Sequence, residues 1–377
     1  VAIIEDQDRF FSGSLNFSTP GSMGQEGEIL RLLNARFIEG AITNAIGYDE
    51  IPMSFTVPDK RVFASRVTYD SLLTRGDVQI VAPFETVNSK YLIACISGVL
   101  FQIDVETGVA IDITPINGFL PQTSYTYPLS YMDNAGGVRG VGGYTVIFNY
   151  PNRPIFINDQ GARYSDENDY EMPPSRAGAT AGNRAFVVTG STLMMASDPL
   201  GGFSNLAPLT FEETLNPAGT YYGQVFTIGS ALEIDPITAV ARMPVFGTSS
   251  QEFLAPKLLV STTHQKYIIA AGTPRESWET SQFITYAGSA DGIAGPLAVT
   301  NVGDVVLYIS LSGRIKNFGQ DSQLNTGMAE TFMDETLGQY VCKDDAMFYF
   351  RDWYRLLDHS RSQIKFNKDR IYATVYP

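Results

Sequence analysis

Few side chains in this sequence are suited to chemistry. Two histidines occur, His264 in STTHQKY and His359 in LDHSR. The order Asp358-His359-Ser360 invites a triad reading. Neighbours along a strand project to opposite faces, however, so this adjacency is the wrong geometry for a nucleophile, its base and an orienting acid. A zinc site needs close ligand spacing, and neither C-x-x-C nor H-x-x-x-H is present. Cys95 and Cys342 stand 247 positions apart in apolar surroundings; they read as reduced, buried small hydrophobes rather than a disulfide framework. The glycine-rich run Gly136–Gly143 (GGVRGVGG) lacks the Gly-Lys-Ser/Thr ending and the helix signal of a phosphate loop, and reads as a flexible loop. No calcium loop of the D-x-D-x-D-G type and no Ser-x-Asp-x-Gly-x-Thr-Trp sialidase box is found. No cofactor and no metal are expected.

Carboxylates are the abundant reactive type. Among 40 acids, pairs at glycosidase separation arise by chance, and the sequence nominates none. One cluster stands out: Ser165–Glu171 (SDENDYE) carries Asp166, Glu167, Asp169 and Glu171 within seven positions. Such a run is ordinarily a solvated loop. Its sharper reading is a negative surface that repels DNA. Polyanions adhere to Lys and Arg through counterion release, and a surface along which DNA must slide avoids that adhesion by like charge.

The whole chain has the same bias. It has 377 residues, with 26 Lys+Arg against 40 Asp+Glu, and a net charge of -14. That disfavours a general nucleic-acid binder, which should present a basic face. Charged residues make up 18%, below the roughly 25% of ordinary soluble domains, which argues against disorder and against a helix-rich surface. Gly and Pro together number 54, fitting many turns between many strands. No apolar run is long enough for a membrane-spanning helix, and the opening VAIIEDQDRFF lacks the features of a signal peptide.

Short β-branched and aromatic runs dominate from about residue 50: Val78–Pro83, Lys90–Ser97, Val99–Val105, Tyr144–Tyr150, Arg153–Asn158, Gln160–Ser165, Arg184–Thr189, Thr192–Ser197, Ile237–Val245, Lys257–Ser261, Lys266–Ala271, Gly295–Val299, Asp304–Ser310 and Arg314–Phe318, then Ala346–Arg351, Trp353–Asp358 and Asp369–Tyr376. NSKYLIACISGVLFQID, AGNRAFVVTGSTLMMASD and NVGDVVLYISLSGRIKNFG share one plan: a polar turn, a strand, a Ser/Thr-Gly or Gly-Ser turn, and a second strand. Their starts near 88, 181 and 301, with echoes near 143, 256 and 344, give a spacing in the range of four-stranded propeller blades. A two-sheet sandwich of meanders is the structural rival. Ile29–Phe37 has helix-like spacing, but ARFIEGAITNAIG alternates like a hairpin, and the strand reading is preferred. Met328–Leu337 reads as a short helix or insertion. Asn117–Gly143, Asp166–Gly182, Pro199–Gly223 and Pro274–Gly292 read as long polar loops, of the kind that present a binding face.

Three segments carry a family resemblance. Asp291–Phe318 (DGIAGPLAVTNVGDVVLYISLSGRIKNF) resembles the blade signature of tail proteins from short-tailed bacteriophages. Met172–Pro199 (MPPSRAGATAGNRAFVVTGSTLMMASDP) is similar to another element of those proteins, and the opening FFSGSLNFSTPGSMGQEGEILRLLNARFIEGAITNAIG to their start. The tail nozzle, hub or packaged-DNA stabilisation proteins are the nearest match. That resemblance implies an all-β fold, a β-propeller of antiparallel four-stranded blades with long inserted loops, over residues 56–377, behind an N-terminal extension over 1–55. It further implies a homo-hexameric ring in the virion tail, assembled in the host bacterial cytoplasm. Portal, adaptor and tail fibre proteins are the implied partners, and DNA passes through without specific binding. The function it implies is structural and without enzymatic activity. Two other classes stay open: a receptor- or glycan-binding propeller, which would need aromatic platforms beside acids in each blade, where only Trp278–Phe283 (WETSQF) offers one; and a glycan hydrolase.

Overall fold

The computed structural model describes residues 35–38, 41–44, 54–56, 66–85, 90–115, 128–135, 143–199, 209–216, 225–229, 235–243, 256–278, 283–289, 291–302, 305–312, 315–320, 328–332, 362–367 and 370–374. The chain divides into two compact units, Val1–Glu50 with Thr331–Leu357, and Ile51–Glu330 with Asp358–Pro377. In the first unit, β1 (Ala35–Ile38) and β2 (Ala41–Asn44) pair antiparallel, as the alternation of ARFIEGAITN predicts.

The second unit is a β-propeller. Its first sheet holds β3 (Ser54–Thr56), β4 (Val78–Glu85), β5 (Lys90–Ile96), β6 (Val99–Asp104) and β7 (Val109–Asp112), ordered β3-β7-β6-β5-β4. The second holds β8 (Ser130–Ala135), β9 (Tyr144–Phe148), β10 (Ile155–Asn158) and β11 (Gly161–Tyr164). The third holds β12 (Gly178–Ala181), β13 (Arg184–Val188), β14 (Leu193–Ala196) and β15 (Val225–Thr227). The fourth holds β16 (Ile237–Arg242), β17 (Leu258–Thr262), β18 (Gln265–Ile269) and β19 (Ile284–Ser289). The fifth holds β20 (Val299–Val302), β21 (Val305–Ile309), β22 (Ile315–Gln320) and β23 (Met328–Phe332). A hairpin of β24 (Gln363–Asn367) and β25 (Arg370–Thr374) follows. In the second to fifth sheets, strands consecutive in sequence are neighbours in space. The leading strands β4, β8, β12, β16, β20 and β24 pack one against the next, which places them around a common axis as the innermost strand of each blade.

The starts of the sequence repeat near 88, 143, 181, 256 and 301 each fall just ahead of the second strand of a blade; the echo near 344 lies outside the described residues. Four strands lie where loops are expected, or at a loop's edge. β8 falls within 117–143, β12 within 166–182, β19 within 274–292, and β15 begins just beyond 199–223. The innermost strand β12 packs closely on the second blade and uses small residues there. β12 reads Gly-Ala-Thr-Ala, and a Cβ on Gly178 would stand 2.8 Å from the Phe148 ring. The start of the Met328–Leu337 segment is strand rather than helix, because β23 completes the fifth sheet beside β22. The longest helix among the described residues also goes unread in the sequence: α1 (Arg66–Arg75), whose Tyr69, Leu72 and Leu73 recur at helical spacing and pack beneath the first sheet. The runs Ala346–Arg351 and Trp353–Asp358 lie outside the described residues.

The core sits between blades. Phe84, Ile93, Leu129, Ile147 and Ile155 join the first two sheets, and Leu297, just ahead of β20, enters the same cluster. Val146, Phe148, Phe156, Ala185 and Val187 join the second and third. Between the third and fourth lies an aromatic knot of Phe186, Phe226, Trp278 and Phe283, with the last two stacked at 4.1 Å and 11°. Aromatic pairs of this kind add about 0.5–1.5 kcal/mol each beyond area burial.

Candidate functional site at the axial mouth

Four blades share a device that fixes one mouth of the propeller. A polar residue at or before the innermost strand clamps the turn between the second and third strands. In the first blade, Gln79 Oε1 accepts hydrogen bonds from Gly98 N at 2.6 Å and Cys95 Sγ at 3.1 Å, while Asp77 N donates to Ser97 Oγ at 2.9 Å. Ser97 and Gly98 both have positive φ, 47° and 83°, the geometry of a two-residue hairpin turn. In the fourth blade, Asp235 accepts Thr262 Oγ1 on one oxygen and His264 N at 3.2 Å on the other. In the fifth, Asp291 Oδ2 accepts both Ser312 N, at 3.1 Å, and Ser312 Oγ. The third blade inverts the polarity: Arg176 Nη2 donates to Gly190 O and, at 3.2 Å, to Ser191 O. The Ser/Thr-Gly turns are visible in the sequence. Their partners are missed because each lies a strand length or more away.

At this mouth a cavity of about 170 Å³ is lined by Pro128, Arg176, Val188, Ile237, Thr238 and Pro296, together with Ala177, Pro236, Ala294 and Gly295. Its residues come from the leading segments of four successive blades, with Val188 closing β13. Prolines bring no N–H to these positions. Thr238 Oγ1 donates to Ser261 O at 3.2 Å, and Arg176 is the one charged lining residue among the described residues.

The acidic run Asp166, Glu167, Asp169 and Glu171 does not line that cavity. Glu171 turns inward, 3% exposed, and takes the Arg163 guanidinium on both oxygens at 2.7 Å, plus Asp166 N at 2.6 Å. The Glu171 hydrogen bonds are the main cause holding the Arg163 pKa above its ordinary value. Arg153 reinforces the loop by donating to Ser165 O at 2.9 Å and pairing with Glu167 at 3.3 Å. Asp166 Oδ1 accepts Asn168 N at 2.8 Å, closing an Asx turn. Asp166, Glu167 and Asp169 are left exposed on a braced loop.

A second charged group ties the third blade to the fourth. Glu213, on the short helix α2 (Glu212–Leu215), receives Arg275 at 2.7 Å and Arg184 at 3.3 Å. Both guanidinium groups lie over the Trp278 ring, at 5.1 and 5.9 Å. Asp198 accepts Thr210 Oγ1, Glu212 N and Glu213 N at 3.0–3.1 Å. Burial raises its pKa despite these bonds. The WETSQF candidate resolves here as core: Trp278 and Phe283 are buried against each other, not presented as a platform.

Of the remaining candidates, His264 is exposed and its backbone is held by Asp235. Cys95 is a free, buried thiol whose pKa burial pushes up to about 12, far from the range of a reactive thiolate. His359, Cys342 and all of Gly136–Gly143 except its last glycine lie outside the described residues. Among the described residues no helix is long and apolar enough to cross a membrane.

No family model matches the chain, and no curated protein matches it. Solved structures do. The complex of BBS1N with ARL6DN aligns at 10% identity and TM-score 0.38, covering 63% of this chain and 61% of that one. BamB from Moraxella catarrhalis aligns at 13% and 0.33, covering 67% and 60%. A variant of the Aleuria aurantia lectin with α-methyl-L-fucoside aligns at 10% and 0.32, covering 67% and 76%. The chain thus spans about three fifths of the length of the first two. Scores this low carry no functional argument, and the propeller assignment rests on the order and pairing of the sheets.

Proposed function

We propose that this protein is a structural component of a short-tailed phage tail, a propeller that assembles into a nozzle or hub ring around the DNA path and catalyses no reaction. The observation that carries the reading is the braced acidic loop. Glu171 is consumed inside, held by Arg163, and the loop it anchors projects Asp166, Glu167 and Asp169 outward from a chain of net charge -14. A rigid anionic surface repels a sliding polyanion without adhering to it. The sequence resemblance supplies the remaining terms: a homo-hexamer, portal and adaptor neighbours, tail fibre partners, and location in the virion tail. A six-fold ring requires a heterologous interface that closes by rotation.

The test is light scattering and negative-stain imaging of the purified chain, alone and with its portal and adaptor. Rings of six-fold symmetry are expected. A chain that stays monomeric with those partners present overturns the proposal. The glycan-binding alternative is disfavoured by the burial of Trp278 and Phe283.

A further inference from the structure

We draw no further inference here: the strongest candidate, the apolar strip that Leu193 and Val225 expose on one face of the two outer strands of the third blade, β14 and β15, adjoins residues outside the described ones, and nothing in the structure shows what covers it.

Discussion

Glu171 and Arg163 meet as a two-pronged ion pair, each guanidinium nitrogen 2.7 Å from its own carboxylate oxygen, with one partner sealed in and the other half in water. The Glu171 side chain is 4% exposed and the Arg163 side chain 45%. Removing the two partners should therefore not cost the same. Glu171→Gln leaves Arg163 free to hydrate and keeps an acceptor for Asp166 N; a loss of about 1–2 kcal/mol is expected. Arg163→Gln strands a buried carboxylate and should cost about 3 kcal/mol or more. Urea unfolding of both variants measures the order, and the reverse order would contradict this account of the brace.

Glu213 poses the complementary case, one acid shared by two cations. Burial is the leading cause lowering the Arg275 pKa, and Arg184 adds repulsion. Glu213→Gln leaves Arg184 and Arg275 facing each other over Trp278 and should cost about 3 kcal/mol. Arg275→Met leaves Glu213 paired with Arg184 and should cost less. A double-mutant cycle between 213 and 275 should return a coupling of about 1–3 kcal/mol; a coupling near zero would mean that the cluster does not join the blades.

Two aspartates should show opposite pH signatures. Burial raises the Asp198 carboxyl, outweighing its bonds from Glu213, Thr210 and Glu212. A carboxyl raised on folding holds its proton more tightly in the folded state. Its contribution to stability is full below the ordinary value of 3.8 and is lost as pH rises through the folded value. For Asp291 burial also pulls upward, but hydrogen bonds from Ser312 and Ser310 and the nearby Lys316 prevail, and the net shift is downward. Its contribution is present above 3.8 and lost as pH falls through the lowered value. Between about pH 6 and about pH 3, the stability gap between the native chain and Asp198→Asn should move in favour of the native chain, and the gap to Asp291→Asn should move against it. Gaps that move the same way would refute the assignment.

Gly182 tests how closely the blades approach. Gly182 and Asn183 have φ of 58° and 64° in the turn joining β12 to β13, and a Cβ at Gly182 would stand 2.3 Å from Ala271 O. Gly182→Ala adds this clash to the roughly 1–2 kcal/mol of a left-handed alanine, so about 3 kcal/mol or more is expected. Gly229→Ala, at φ 84° with only the tip of the Tyr267 side chain near, at 3.1 Å, carries mainly backbone strain and serves as the reference. Equal losses would show that the contact relaxes at no cost.

The sequence made the middle strands legible, and the physics of a propeller explains why the rest was not. Tyr144–Phe148 and Arg184–Val188 are buried between blades on both faces, so they read as continuous apolar runs. The innermost strand β12 is selected for small volume and the short outermost strand β15 is mostly exposed, so neither carries that signal. The clamps escaped for a different reason. Arg176 and Asp235 reach turns contributed by residues 190–191 and 262–264, and nothing local to either residue announces its partner. The acidic run was found as a cluster, but its division into one inward and three exposed carboxylates depends on Arg163, which lies outside the run.

That division sets the sharpest test of the proposed conduit. Asp166, Glu167 and Asp169 are exposed; replacing all three removes the Asx turn at Asp166 and the pair of Glu167, 87% exposed, with Arg153, but leaves the buried brace at Glu171, so the fold should hold at a small local cost. Asp166→Lys, Glu167→Lys and Asp169→Lys together reverse the local field while Glu171 still braces the loop from inside. The native chain should show no retention on duplex DNA. The triple variant should bind it with a steep salt dependence, a slope of up to about −3 on logarithmic axes if all three new cations meet phosphate. In assembled rings the same variant should slow DNA passage, because each new cation must release its phosphate before the duplex advances. If rings carrying the triple variant pass DNA as freely as native rings, the loop does not face the path, and the acidic run is a solvated surface with no part in conduction.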